Sequence, residues 1–347
     1  ASALVAVVTA SLAGGCGSSG RSSFDDNKQN GASSGASGQP GPNGDLGGTK
    51  GPCTGLECQQ VECSGQDVST TVSGIVTAPN GTLPLYNAIV YVPNGPLEPL
   101  AEGASCDRCG SVSGKPITAT VTGADGKFVL KNVPAGQKIP LVVQVGKWRR
   151  ELTLDNVAKC VDNPITDASR TRLPKNQSEG HLPKIAVTTG RCDQLACLLP
   201  KLGIDASEYT PANGNGRLHV YRGAADNSSA QSDIPAPAPA GSLDATALWK
   251  DAATLKQYDM VMMSCECAEH NETKSASSKQ ALYDFASAGG RVFASHYHYA
   301  WAQNSPLQGT AQWLGGTSTA ESTPPFFVDM SFPKGAALAD WLVGVGA

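Results

Sequence analysis

The residue types able to do chemistry gather in two short stretches. The first reads Ser264-Cys-Glu-Cys267 with His270 just beyond it, and the second reads Ala294-Ser-His-Tyr-His298 followed by Tyr299. Thiols, imidazoles, a hydroxyl and a carboxylate in such company support three kinds of chemistry. Ser295 beside His296, or Cys265 with a histidine across from it, would supply nucleophile and base for a hydrolase, making Ser295, His296 and Cys265 the catalytic candidates. Neither pair sits in a G-x-S-x-G elbow. Cys265, Cys267, His270, His296 and His298 are soft and borderline donors that suit zinc, although C-x-C is not the usual zinc spacing. The third reading is a groove that binds without turning over, lined by Glu266, His270, His296, His298 and Tyr299. One cysteine of the C-x-C would then be oxidised, with Cys192 as a partner. Binding without a resident cofactor is the reading adopted; hydrolase and zinc site are its alternatives.

These residues need elements to hold them. Residues 260–263 are a short apolar run of the kind that forms a strand buried on both faces. Ala281, Leu282, Phe285 and Ala288 fall on one face of a helix, Gly289 and Gly290 end it, and residues 292–294 begin another strand. In such a strand–helix–strand unit both strands run the same way. Their carboxyl ends share the edge where open α/β sheets bind ligands, and both chemical stretches fall there. The pattern begins earlier, with a strand at 185–188, a helical face at Leu195, Leu198, Leu199 and Leu202, and a strand at 218–221. A Pro/Ala/Ser loop covers 223–242. Ala245, Leu248, Ala252 and Leu255 then mark a helix, and a further strand is predicted at 326–330. The sum is a flavodoxin-like parallel sheet over residues 184–347, expected to be incomplete at its carboxyl end. The lone His181 and His219 read as solvent-facing or hydrogen-bonded rather than functional.

Residues 53–154 read differently. Short β-branched runs at 69–77, 88–92, 117–121, 128–130, 139–145 and 151–154 alternate with Gly, Pro and Asn turns, which predicts an all-β sandwich. Residues 155–183 are a connector. Trp148-Arg-Arg150 is either strand-end packing or a surface grip.

The chain has 347 residues, a net charge of −4, 39 Gly and 23 Pro, and no basic stripe, which argues against nucleic acid as a partner. Residues 3–13 form an apolar run of signal-peptide length, so 1–15 are expected to be a signal peptide remnant. Residues 17–52, rich in Gly, Ser, Asn and Pro, have little to bury and read as a flexible tether. Of 11 cysteines, setting Cys16 aside leaves an even number, as expected of an oxidising compartment. Disulfides therefore account best for Cys53, Cys58, Cys63, Cys106 and Cys109; a structural zinc on Cys58, Cys63, Cys106 and Cys109 is the alternative.

Three resemblances add to this reading. Leu12-Ala-Gly-Gly-Cys16 resembles a bacterial lipobox with its Leu displaced by one position. It implies acylation of Cys16, a membrane anchor and a cell-envelope location. Val72-Ser-Gly-Ile-Val76, Leu85-Tyr-Asn-Ala-Ile-Val-Tyr91 and Gly123-Ala-Asp-Gly-Lys-Phe-Val-Leu-Lys-Asn-Val-Pro-Ala-Gly136 resemble the carboxypeptidase regulatory-like, or transthyretin-like, domain, with residues 94–115 as an insertion. That family implies a non-catalytic accessory module. Tyr258-Asp-Met-Val-Met-Met263, Ala288-Gly-Gly290 and Val292-Phe-Ala-Ser-His296 resemble the glutamine amidotransferase-like superfamily, in its trehalose-utilisation-type branch. Where that family places its nucleophilic cysteine, this chain has Ala294-Ser295-His296, so amidotransferase activity is not implied. The expectation is an envelope lipoprotein that binds a glycan or cell-wall component.

Overall fold

The computed structural model describes residues 53–65, 68–106, 112–193, 195–224, 238–310 and 327–347. Cys16 with the rest of 1–52, Cys109, most of the 223–242 loop and Phe326 lie outside the described residues. In the first half, β-branched runs separated by turns form seven strands. They are β1 (Thr71–Ile75), β2 (Ile89–Pro93), β3 (Pro116–Val121), β4 (Lys127–Leu130), β5 (Gly136–Val145), β6 (Trp148–Val157) and β7 (Asp162–Pro164). A sheet ordered β4-β1-β7 faces one ordered β3-β2-β5-β6, and every pairing is antiparallel except β1 with β7. Alternation sets which side chains go in: in β4, Phe128 and Leu130 are buried while Lys127 and Val129 face out. Val72, Val90, Phe128, Leu130, Leu141, Val143 and Leu154 meet in the sandwich core.

The predicted connector is more than a connector. β6 runs on to Val157 and β7 lies wholly within it, followed by the one-turn helix α1 (Ala168–Thr171). Three residues ending in proline carry no periodicity, so β7 could not be seen from sequence. The cysteines also separate the two early readings. Cys53 bonds Cys58, Cys63 bonds Cys160, and Cys106 is likewise in a disulfide. The four-cysteine zinc alternative is thereby corrected, because a sulfur spent in a disulfide is not available as a thiolate ligand.

From residue 185 the elements are β8 (Ile185–Thr188), α2 (Leu195–Lys201), β9 (Tyr209–Thr210), β10 (Leu218–Tyr221), α3 (Ala245–Leu248), α4 (Ala252–Leu255), β11 (Met260–Met263), α5 (Ala276–Ser287), β12 (Arg291–Ala294) and α6 (Pro333–Val345). The five strands form one parallel sheet ordered β12-β11-β8-β10-β9. With the two-residue β9 set aside, the chain order across the sheet is second, first, third, fourth. That is the flavodoxin-like arrangement, with its topological switch between β8 and β11. β8 and β10 are buried along their whole length, whereas edge strand β12 leaves Val292 and Phe293 39% and 50% exposed. Two expectations need correction. Residues 327–330 form no strand; the extra strand is β9. The helix expected over 245–255 is two single turns, because Asp251 caps a new start by accepting from Thr254 N at 2.7 Å. The Gly-Gly stop after α5 holds: Gly289 has φ +95°, and a Cβ there would lie 2.2 Å from the Ser105 carbonyl oxygen.

The two halves are joined by buried polar contacts. Lys147, in the β5–β6 turn, is 7% exposed and its ammonium reaches Asp259 Oδ1 at 2.7 Å and the carbonyls of Ala101 and Gly103 at 2.8 and 2.6 Å. Asp259 also accepts from Lys184 N at 2.6 Å. Trp148 packs against both the sandwich core and the cluster beneath β8, and its indole donates to Pro174 O at 3.0 Å. Trp148 is therefore packing rather than a surface grip. Among the described residues no helix is long and apolar enough to cross a membrane.

Candidate functional site at the switch between β8 and β11

The parallel register does the positioning. Met263 of β11 pairs with Ala294 of β12, so two residues further along each strand Cys265 and His296 come level. The Cys265 thiol lies 3.1 Å from His296 Nδ1. On the other flank the loop after β8 closes against Cys265. Cys192 N donates to Cys265 O at 3.1 Å, and a Cβ on Gly190 would sit 2.3 Å from that same oxygen, so the approach needs glycine. A disulfide joins Cys192 to Cys267. Asp193 then ties three strand ends together: one carboxylate oxygen accepts from Cys265 N at 2.6 Å, and the other accepts from the Ser295 hydroxyl. Sequence reasoning missed Asp193. Its available signal was a carboxylate in the first loop on the carboxyl edge, next to a cysteine already under suspicion.

The backbone is strained at this edge. Cys267, His270 and His296 adopt φ of +70°, +45° and +50°, the left-handed region that non-glycine residues seldom occupy. His296 begins a 3-10 turn (His296–Trp301) just after β12, so the chain bends sharply at this strand end.

The remaining candidates take distinct places. Glu266 is fully buried and paired with Lys274 at 2.8 Å, and it also accepts from Ala224 N at 2.7 Å. Lys274 lies 5.9 and 5.8 Å from the ring centres of Trp249 and Trp301. His298 is buried with Nε2 2.7 Å from Ser264 O, and burial holds its pKa below the usual histidine range. His270 contacts Glu272 at 2.9 Å and Glu266 O at 3.2 Å. Tyr299 is 37% exposed and donates to Glu269, a bond that raises the phenol's pKa and lowers the carboxyl's. Cys265 and His296 are thus brought together, while the Ser295 hydroxyl is turned to Asp193. The five-donor zinc set is not assembled. Cys267 carries its sulfur in a disulfide, His298 faces Ser264 O, and among the described residues no three His, Cys, Asp or Glu side chains converge on a common point. His219 is buried against Tyr258, and the half-buried His181 contacts Lys147 O.

No family model matches the chain, and no curated protein matches it. Two solved chains are similar in part, both from mutants of a type II cohesin–X-dockerin complex of Acetivibrio cellulolyticus. The C-terminal interface mutant is 21% identical over 30% of this chain and 56% of its own, with a TM-score of 0.19. The N-terminal interface mutant is 18% identical over 39% of this chain and 85% of its own, with a TM-score of 0.21. The chain thus spans about half the length of the first, and likeness at this level carries no argument about activity.

Proposed function

We propose that this protein is a cell-envelope lipoprotein, anchored through Cys16, whose flavodoxin-like domain binds a cell-wall glycan at the switch-point edge. In this reading the sandwich is a carboxypeptidase regulatory-like accessory module, and the second domain is an amidotransferase-like one that binds its glycan without transforming it. One observation carries the reading. At the rim, the His296 and Tyr297 rings lie 4.5 Å apart and those of Tyr297 and Tyr299 6.4 Å apart, beside Glu269, which accepts from both Tyr299 and Asn271. Aromatic rings with an apolar face and a polar edge, next to a carboxylate, suit a sugar ring, which is apolar on its faces and hydroxylated around its rim. The inward-turned Glu266, Lys274 and His298 support that rim from below.

The test is co-sedimentation of the Cys16→Ser chain with insoluble peptidoglycan. Retention of the chain, lost in Tyr299→Ala and kept in Tyr86→Ala on the exposed face of the sandwich, supports the reading. No retention, or equal retention of Tyr299→Ala, overturns it.

A further inference from the structure

We propose that Cys265 and His296 form a thiol–imidazole pair that accepts an acyl group from an activated ester, an activity separate from glycan binding. Among the described cysteines only Cys197 and Cys265 stand outside disulfides, while Cys53, Cys58, Cys63, Cys106, Cys160, Cys192 and Cys267 are oxidised. The Cys265 thiol is 3.1 Å from His296 Nδ1, within reach of direct proton transfer. Both partners are held by one carboxylate. Asp193 accepts from the backbone N–H of Cys265 and from the hydroxyl of Ser295, the residue just before His296. A pair fixed in this way loses little freedom when it reacts. Asp193 is a positioning residue here, and its bond to Ser295 turns that hydroxyl away from the nucleophile's role.

His296 is exposed at the rim and Cys265 lies beneath it at 1% exposure, so the sulfur is approached from the imidazole side. A sulfur so little exposed favours a small acyl group, such as acetyl. As the sulfur attacks the carbonyl carbon, His296 takes the thiol proton. The C–S bond forms, the C–O bond to the alcohol breaks, and the imidazolium gives its proton to the departing oxygen. Water then attacks the thioester carbonyl as His296 accepts its proton; the new C–O bond forms, the C–S bond breaks, the imidazolium returns the proton to the sulfur, and a carboxylic acid leaves. The sum is ester plus water giving acid plus alcohol.

The test uses the full chain with p-nitrophenyl acetate, following nitrophenolate release and mapping acetylated peptides by mass spectrometry. The expected result is an initial burst with acetyl on Cys265. His296→Gln should slow that burst about 100-fold, in line with loss of a general base. Cys265→Ser should abolish it, and Cys197→Ser should leave it unchanged. Acetyl found on Cys197 or on lysines with Cys265 unmodified, or a wild-type burst in His296→Gln, overturns the proposal. The wild-type peptide map decides the matter even if Cys265→Ser fails to fold.

Discussion

Replacing Lys274 by Met tests whether the floor of the site is held by charge. Its ammonium is 2.8 Å from Glu266 with both side chains fully buried, and the rings of Trp249 and Trp301 close the space around it. Methionine keeps most of the stem's volume and removes the charge. Glu266 would then retain the Ala224 N–H as a donor and no counter-charge. Breaking one side of a buried pair costs about 3–5 kcal/mol, because the remaining charge is uncompensated. For a chain with domains of this size that corresponds to a fall in Tm of roughly 10 °C. The double variant Lys274→Met/Glu266→Met removes the stranded charge as well. It should regain about 2 kcal/mol, the remainder being the Ala224 N–H left without its acceptor. Urea denaturation of the two single variants and the double gives the coupling directly. A loss under about 1 kcal/mol in Lys274→Met, or a double variant no more stable than the sum of the singles, would refute the reasoning.

Three other outcomes follow from the same kind of accounting. Asp259→Asn strands the buried Lys147 ammonium at the junction of the two halves, so limited proteolysis should separate sandwich from α/β domain in the variant and not in the parent. Glu179 accepts two bonds from Arg172 at 2.6 Å, and chiefly for that reason its pKa falls from 4.5 to about 2. A depressed carboxyl contributes stability that is present above its unfolded value and lost as pH falls toward 2, so Glu179→Gln should flatten stability between those limits by on the order of 2 kcal/mol, read from urea midpoints across that range. Replacing Cys63 and Cys160 by Ala removes a bridge between residues 97 apart and should cost roughly 4 kcal/mol by the chain-entropy argument, measured by the same denaturation.

The parallel sheet was legible because its strands are continuous apolar runs: 185–188, 218–221 and 260–263 fall where expected. β7 and β9 were not, since three and two residues are too few to show a period, and their place is decided by pairing with β1 and β10. The break between α3 and α4 was overlooked because the apolar spacing runs through it; Asp251 as a cap was the available signal. At the site, the meeting of Cys265 with His296 follows from parallel register, which sequence can supply. That Glu266 turns inward to Lys274 does not, because it depends on the aromatic box formed by Trp249 and Trp301, residues far apart in the chain. Asp193 likewise acts through a backbone N–H and a hydroxyl whose positions only the folded loops define.

The central claim is that the edge after β11 and β12 is where this protein meets its ligand. Hydrogen exchange of the Cys16→Ser chain, with and without a soluble peptidoglycan fragment, tests it most directly. Protection confined to residues 264–275 and 295–301, and absent in Tyr299→Ala, is the result predicted. Protection only within strands β1–β7 of the sandwich, or no change anywhere at saturating fragment, would contradict it.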